Sequence, residues 1–224
     1  MTLRLPACSM ARVQEAFAMF ARFGIALLIA GVVASASLAS YQIGQIATAR
    51  VADSVEARNQ KILDVIVRRN PQASVRDFQH FPALLVRESN ALGLDFRYVM
   101  ALIDAESEWK PDAVSPKCAI GLMQVMPGTA DDVYARSKDL PGGFSGPVKA
   151  KARCYDNLNS LGDPLWNVRI GMRYLRMQID EYGFGPEHLR AYNRGPGKAL
   201  AHWPNDRYPE TVALKFVALA GVIR

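Results

Sequence analysis

The chain has 224 residues, of which 50% are apolar and 21% charged. That balance supports a packed core and excludes a long disordered chain, which would lack the apolar residues needed to offset ordering entropy. With 16 Gly, 13 Pro and 3 Cys, collagen-like and disulfide-dense classes are excluded too. Lys and Arg number 27 against 21 Asp and Glu, and this basic balance favours an anionic partner without choosing among nucleic acid, anionic lipid and acidic cell-wall polymer.

In chain order, residues 1–22 form a basic N-terminal segment with Arg4, Arg12 and Arg22. Residues 23–49 carry no charge at all. About 20 apolar residues suffice for a helix to span a bilayer. Residues 23–46 are therefore expected to be a transmembrane signal anchor or a cleaved signal peptide, for which Ala34-Ser35-Ala36 has the small-x-small form. A buried helix of the soluble domain is the plainer reading. Arg50, Arg58 and Lys61 follow the segment, so basic residues flank it on both sides and do not orient it. Cys8 has no apolar run before it, which argues against a lipoprotein site.

Residues 47–80 read as a helical stalk or linker. Its helix, 51–69, mixes charges with a weak apolar stripe of Val55, Ile62 and Val65, and stops at Asn70-Pro71. A first helix packed on the main domain is the alternative. Residues 81–224 form the main domain. Periodicity predicts helices over 82–92, from an Asp95 cap through Trp109, from about 128, over 164–182 with Gly183 at the end, over 188–193 and over 209–223. Residues 136–163 are irregular. No segment alternates over strand length, so the fold is expected to be mainly α, with at most a small β element near residues 117–125.

One carboxylate is placed for chemistry. Phe96, Val99 and Ile103 mark the buried face of the helix from Asp95, and Glu106 falls on that face. Desolvation raises a carboxyl pKa, as a general acid near neutral pH requires. A structural carboxylate paired with one of the Arg residues is the bland reading. Glu108 lies about 200° around the helix, so the two do not act as neighbours.

The segments ALIDAESEW, AIGLMQVMPGTA and AYNRGPG occur in that order and spacing. Together they resemble the lytic transglycosylases with a goose-type-lysozyme-like catalytic domain, over roughly residues 82–224. The segment NVRIGMRYL, residues 167–175, is similar to that family's packing helix. The resemblance implies a bacterial enzyme that cleaves peptidoglycan between N-acetylmuramic acid and N-acetylglucosamine. The catalytic acid maps onto Glu106, beside Ser107. Met123 and Gln124 would touch sugar, Tyr192 would bond the catalytic carboxylate and Asn193 would hold substrate. The last helix departs from the family pattern: Tyr208-Pro209 is the best match, and the register on Glu210-Thr211 leaves Leu214 in the tyrosine's place. Plainer roles remain for several residues. Ser107 would cap its helix, Met123 would fill core, and Tyr192 would be a packed aromatic.

Glycosidases that use two carboxylates flank the bond with both; the matched motifs supply one. The mechanism implied by the resemblance uses Glu106 as acid and then as base, with the muramyl 6-hydroxyl closing a 1,6-anhydro ring. No cofactor and no metal are expected, since His80, His188 and His202 are scattered. Alternatives are a hydrolytic muramidase and a non-catalytic peptidoglycan-binding scaffold. The expected partners are peptidoglycan glycan strands and the membrane, with an envelope-spanning secretion, conjugation or division complex as a further one. Nucleic acid is not expected, because no basic run is interleaved with aromatics. The expected location is the bacterial envelope: inner membrane with a periplasmic catalytic domain, or the periplasm if the signal is cleaved. Cys118 and Cys154 agree with export. A bridge between them would close a loop worth roughly 3–4 kcal/mol in the chain-entropy model, while two buried thiols remain the alternative.

Overall fold

The computed structural model describes residues 10–73, 78–137, 140, 161–201 and 205–223, except the side chains of 10–14, 16, 17, 20, 24–27 and 29. Its helices are α1 (Met10–Arg69), α2 (Phe81–Ala91), α3 (Phe96–Glu106), α4 (Pro127–Arg136), α5 (Pro164–Tyr182), α6 (Pro186–Arg194) and α7 (Tyr208–Val222), with a 3-10 turn at Pro196–Lys198. The chain divides into two units, Met1–Val55 and Glu56–Arg224.

In the first unit α1 carries exposed Leu28, Val32, Val33, Leu38 and Ile43. The hydroxyls of Ser35, Ser37, Ser40 and Thr48 donate back to carbonyls three or four residues earlier, at 2.8–2.9 Å. Among the described residues, no helix is long and apolar enough to cross a membrane.

The second unit is built around α3. Asp95 caps this helix, accepting the Arg97 N–H at 2.8 Å, and residues 98–104 are buried on every side. A helix buried all round needs neighbours all round. Its most extensive one is α7, while α2 packs against both α3 and α5, and α5 against α4 and α6. Asp163 and Pro164 open α5, with the Asp163 carboxylate accepting the Trp166 N–H at 2.7 Å. Gly183 ends it at φ 75°, a left-handed conformation that glycine adopts without steric cost.

The C-terminal part of α1 is packed within the second unit. Ile62 and Ile66 are fully buried and Val65 nearly so. The Asn70 amide donates to the Trp109 carbonyl at 3.0 Å. This stretch packs on the domain as a helix of it, so the core draws on residues before 81. The helical expectation holds for the described chain. Between α3 and α4 there are two isolated antiparallel bridges, Val114 with Ile120 and Ile120 with Val125, in place of a sheet. Most of the irregular stretch 136–163 lies outside the described residues.

Candidate active site

The site begins where α3 ends. Glu106 is the helix's last residue, and the chain then turns sharply, with Glu108 and Trp109 at φ 52° and 64°. The turn is held because Trp109 is fully buried, its ring edge-on to Phe81 at 6.0 Å. Glu106 is thus fixed at the helix end, partly buried. The Tyr208 hydroxyl, from the first turn of α7, donates to its Oε1. Asn193, from α6, stands near it and favours its charged form.

Burial pushes the Glu106 pKa up from 4.5 to about 7, against Tyr208 and Asn193, which favour the charged form. Tyr208 and Tyr192 are themselves pushed well above the usual phenol range by burial, and the nearby Glu106 charge adds to the shift. Both phenols therefore keep their protons as donors at neutral pH.

A tight loop from α3 to α4 forms the next wall. Gly121 has φ 78°, and a Cβ there would lie 2.4 Å from Asn167 Nδ2 and 2.5 Å from the Leu161 carbonyl. Only glycine fits both demands. Gln124, at φ 48°, donates its amide to the carbonyls of Gly121 at 3.0 Å and Ala113 at 3.2 Å. Beside this loop lies a groove of about 570 Å³, lined by Gln124, Tyr174, Tyr192 and Asn193 with Lys117 and Lys198 at cationic positions. No Asp or Glu stands among its described lining residues.

The expected residues converge, but three of them do other work. Tyr192 does not bond Glu106: its hydroxyl donates to the Met123 carbonyl at 2.8 Å, and Tyr208 makes the bond to the acid. This is the Tyr208-Pro209 register; Leu214, the residue of the other register, is 72% exposed. The Met123 side chain is fully buried against Gly171. Ser107 is turned inward, its hydroxyl donating to the Leu122 carbonyl at 2.8 Å. Of the proposed substrate contacts, Gln124 and Asn193 line the groove. Cys118 is disulfide-bonded, and Cys154 lies outside the described residues.

Sequence reasoning treated residues 167–175 as packing and missed Asn167. It is fully buried and makes three hydrogen bonds: Oδ1 accepts the Met123 N–H at 2.7 Å, and Nδ2 donates to the carbonyls of Ile120 at 2.8 Å and Leu161 at 2.7 Å. A polar amide four residues before Gly171, on one helix face, was the available signal.

Fold and site thus define a helical domain with one partly buried carboxylic acid, held by the Tyr208 hydroxyl and neighbouring Asn193, a residue of the groove. Residues 84–211 match the family described as Transglycosylase SLT domain, more than half of the chain, and the chain belongs to that family. It is 36% identical over 143 residues to a protein of Glaesserella parasuis named membrane-bound lytic murein transglycosylase C, covering 59% of this chain and 35% of that one. It is 36% identical over 121 residues to the soluble lytic murein transglycosylase of Escherichia coli, covering 54% of this chain and 17% of the relative. The chain therefore spans about a third or less of these relatives' length. Among solved structures it is similar to an inactive mutant of lytic transglycosylase Slt from Pseudomonas aeruginosa, with a TM-score of 0.51 at 26% identity, covering 62% of this chain and 24% of that one.

Proposed function

We propose that this chain is a lytic murein transglycosylase, cleaving the bond between N-acetylmuramic acid and N-acetylglucosamine in peptidoglycan with Glu106 as acid and then base. The observation that carries this is the balance at Glu106. Burial brings its pKa to about 7, while Tyr208 and Asn193 favour the ionised form. Near neutral pH both protonation states are therefore accessible, which a residue that gives a proton and takes it back requires.

In the proposed sequence, protonated Glu106 gives its proton to the glycosidic oxygen as the carbon–oxygen bond breaks. The muramyl acetamido group stabilises the positive charge left on the sugar. Tyr208 and Asn193 hold the new carboxylate, which then takes the proton of the 6-hydroxyl as that oxygen closes the 1,6-anhydro ring. Glu106 ends protonated and no water is consumed. Gln124 and Asn193 bind the glycan in the groove.

In this reading residues 1–22 and 23–46 are a basic segment and a membrane anchor or signal, and the domain works in the bacterial envelope. The support is the charge-free run at 23–49, exposed apolar side chains along it, and hydroxyls satisfied within the helix, as a lipid environment demands.

The test is mass spectrometry of muropeptides released from purified peptidoglycan by the full chain, beside Glu106→Gln. Products one water lighter than reducing muropeptides, absent with the variant, are expected. Reducing-end products would make the enzyme a muramidase. Binding without products would make it a scaffold.

A further inference from the structure

We infer that Asn167 is the positioning residue of this site: through one loop it sets where both Glu106 and its partner Asn193 stand. The inference rests on the proposed function for its kinetic consequence, but its geometry does not depend on that reading.

The loop at 120–123 is an exchange point. Asn167 grips it at the Met123 N–H and the Ile120 carbonyl, and ties both to the Leu161 carbonyl. The two carbonyls that follow are spent on the catalytic neighbours. Leu122 accepts from Ser107, the residue after Glu106. Met123 accepts from Tyr192, the residue before Asn193. A shift of this loop therefore moves α3's end and α6 at once, and with them the acid and one of its partners.

The alternative grip is weak. With Asn167 removed, the Met123 N–H and the Leu161 carbonyl lose these bonds and the Ile120 carbonyl is left with the Val125 N–H, and an unmade buried hydrogen bond costs more than a made one gains. A Cβ on Gly121 would lie 2.4 Å from Asn167 Nδ2, so the amide reaches the loop only against a glycine. Gly171, one turn along α5, leaves room for the Met123 side chain in the same way. The helix thus presents one polar hook and one gap to a single loop, a specific shape rather than general packing.

The groups that face Glu106 are Tyr192 and Asn193 from α6 and Tyr208 from α7. If the loop slackens, Asn193 leaves the carboxylate and the acid loses a partner of its charged form. Its midpoint then rises above the native value near 7.

The experiment compares the full chain with Asn167→Ala and with Leu85→Ala, a buried α2 position outside the site, as a control for general destabilisation. The Glu106 carboxyl is titrated by carbon-13 NMR, and kcat and KM are measured on purified glycan. For Asn167→Ala a midpoint at least about half a unit higher is expected. kcat should fall about 10²-fold while KM changes by less than about threefold. Leu85→Ala should keep the native midpoint and kcat at temperatures where it is folded. Should Asn167→Ala not fold, Asn167→Asp carries the same test, since it keeps an acceptor for Met123 and loses both donors. A native midpoint in a folded Asn167 variant overturns the inference, as does an equal shift in Leu85→Ala. If the native chain releases no product yet the midpoint still moves, the function fails and the positioning role stands.

Discussion

Tyr208, the first residue of α7, donates its hydroxyl to Glu106, the last residue of α3, across 102 positions of sequence. The bond joins the ends of the two helices that pack most extensively against each other, so the core interface and the acid's environment are one structure. Tyr208→Phe removes the donor and keeps the ring. Hydrogen bonding to a carboxylate favours its charged form, so the Glu106 pKa should rise beyond about 7. The protonated acid would persist to higher pH, moving the alkaline limb of the kcat/KM profile upward. The maximal rate should fall about 10- to 100-fold, because the developing carboxylate loses a stabilising donor. An unmoved alkaline limb would show that Tyr208 does not govern the acid.

Glu106 also makes stability depend on pH, with a fixed sign. Its folded pKa, about 7, lies above the ordinary 4.5. The folded state therefore binds the proton more tightly than the unfolded chain, and stability is greatest below pH 4.5 and is lost as pH rises through 7. The full shift corresponds to roughly 3 kcal/mol at 1.36 kcal/mol per unit, and water reaching the partly buried carboxyl reduces this to about 1–2 kcal/mol. Glu106→Gln should thus stabilise the protein at pH 8 and leave it nearly unchanged at pH 4. Urea denaturation at both values checks this, and equal effects at the two would contradict the assigned burial.

The burial of Glu106 was legible in sequence because helical spacing aligned it with Val99 and Ile103, while its expected role as acid came from the motif resemblance. The helices around it were legible for a similar reason: Asp95 and Gly183 are local signals that act where they stand. Hydrogen-bond partners were not legible. Tyr192 and Tyr208 are both buried phenols near the same carboxylate, and only the fold decides that one reaches it while the other ends on the Met123 carbonyl. Met123 and Ser107 sit in the right motif, but their side chains face inward, because the loop must close over the core before Gln124 can face the groove. Asn167 was hidden for the opposite reason, as a polar residue inside an apolar pattern, two of whose three partners lie on a segment more than 40 residues away.

The closeness of α5 to that loop sets a stability prediction of its own. In Gly171→Ala the added Cβ would lie 2.5 Å from Met123 Sδ and 2.6 Å from its Cβ. The first could move, but the second is anchored to the loop backbone. Overpacking of this kind costs about 1–3 kcal/mol. Gly121→Ala should cost more, since it adds a left-handed backbone at φ 78° to its steric clash. Thermal unfolding should therefore rank native, then Gly171→Ala, then Gly121→Ala, and a reversed order would mean the loop yields more readily than α5.

A last prediction concerns the charge pair of the α3–α7 interface. Asp104 is 5% exposed and lies 2.5 Å from Lys215 Nζ of α7 and 3.4 Å from the more exposed Arg69 of α1. Lys215→Met keeps the aliphatic stem and removes the charge, leaving a buried carboxylate with one loose partner. Removing one member of a buried pair costs about 3–5 kcal/mol, most of it the stranded charge rather than the lost attraction; the remaining Arg69 should hold the loss to about 2–3 kcal/mol. If that is the cause, Asp104→Asn combined with Lys215→Met should recover more than half of the loss, because the stranded charge is gone. A double-mutant cycle by urea denaturation measures it. Simple addition of the two single losses would show that the pair acts independently, with the stability of the interface residing in its apolar contacts alone.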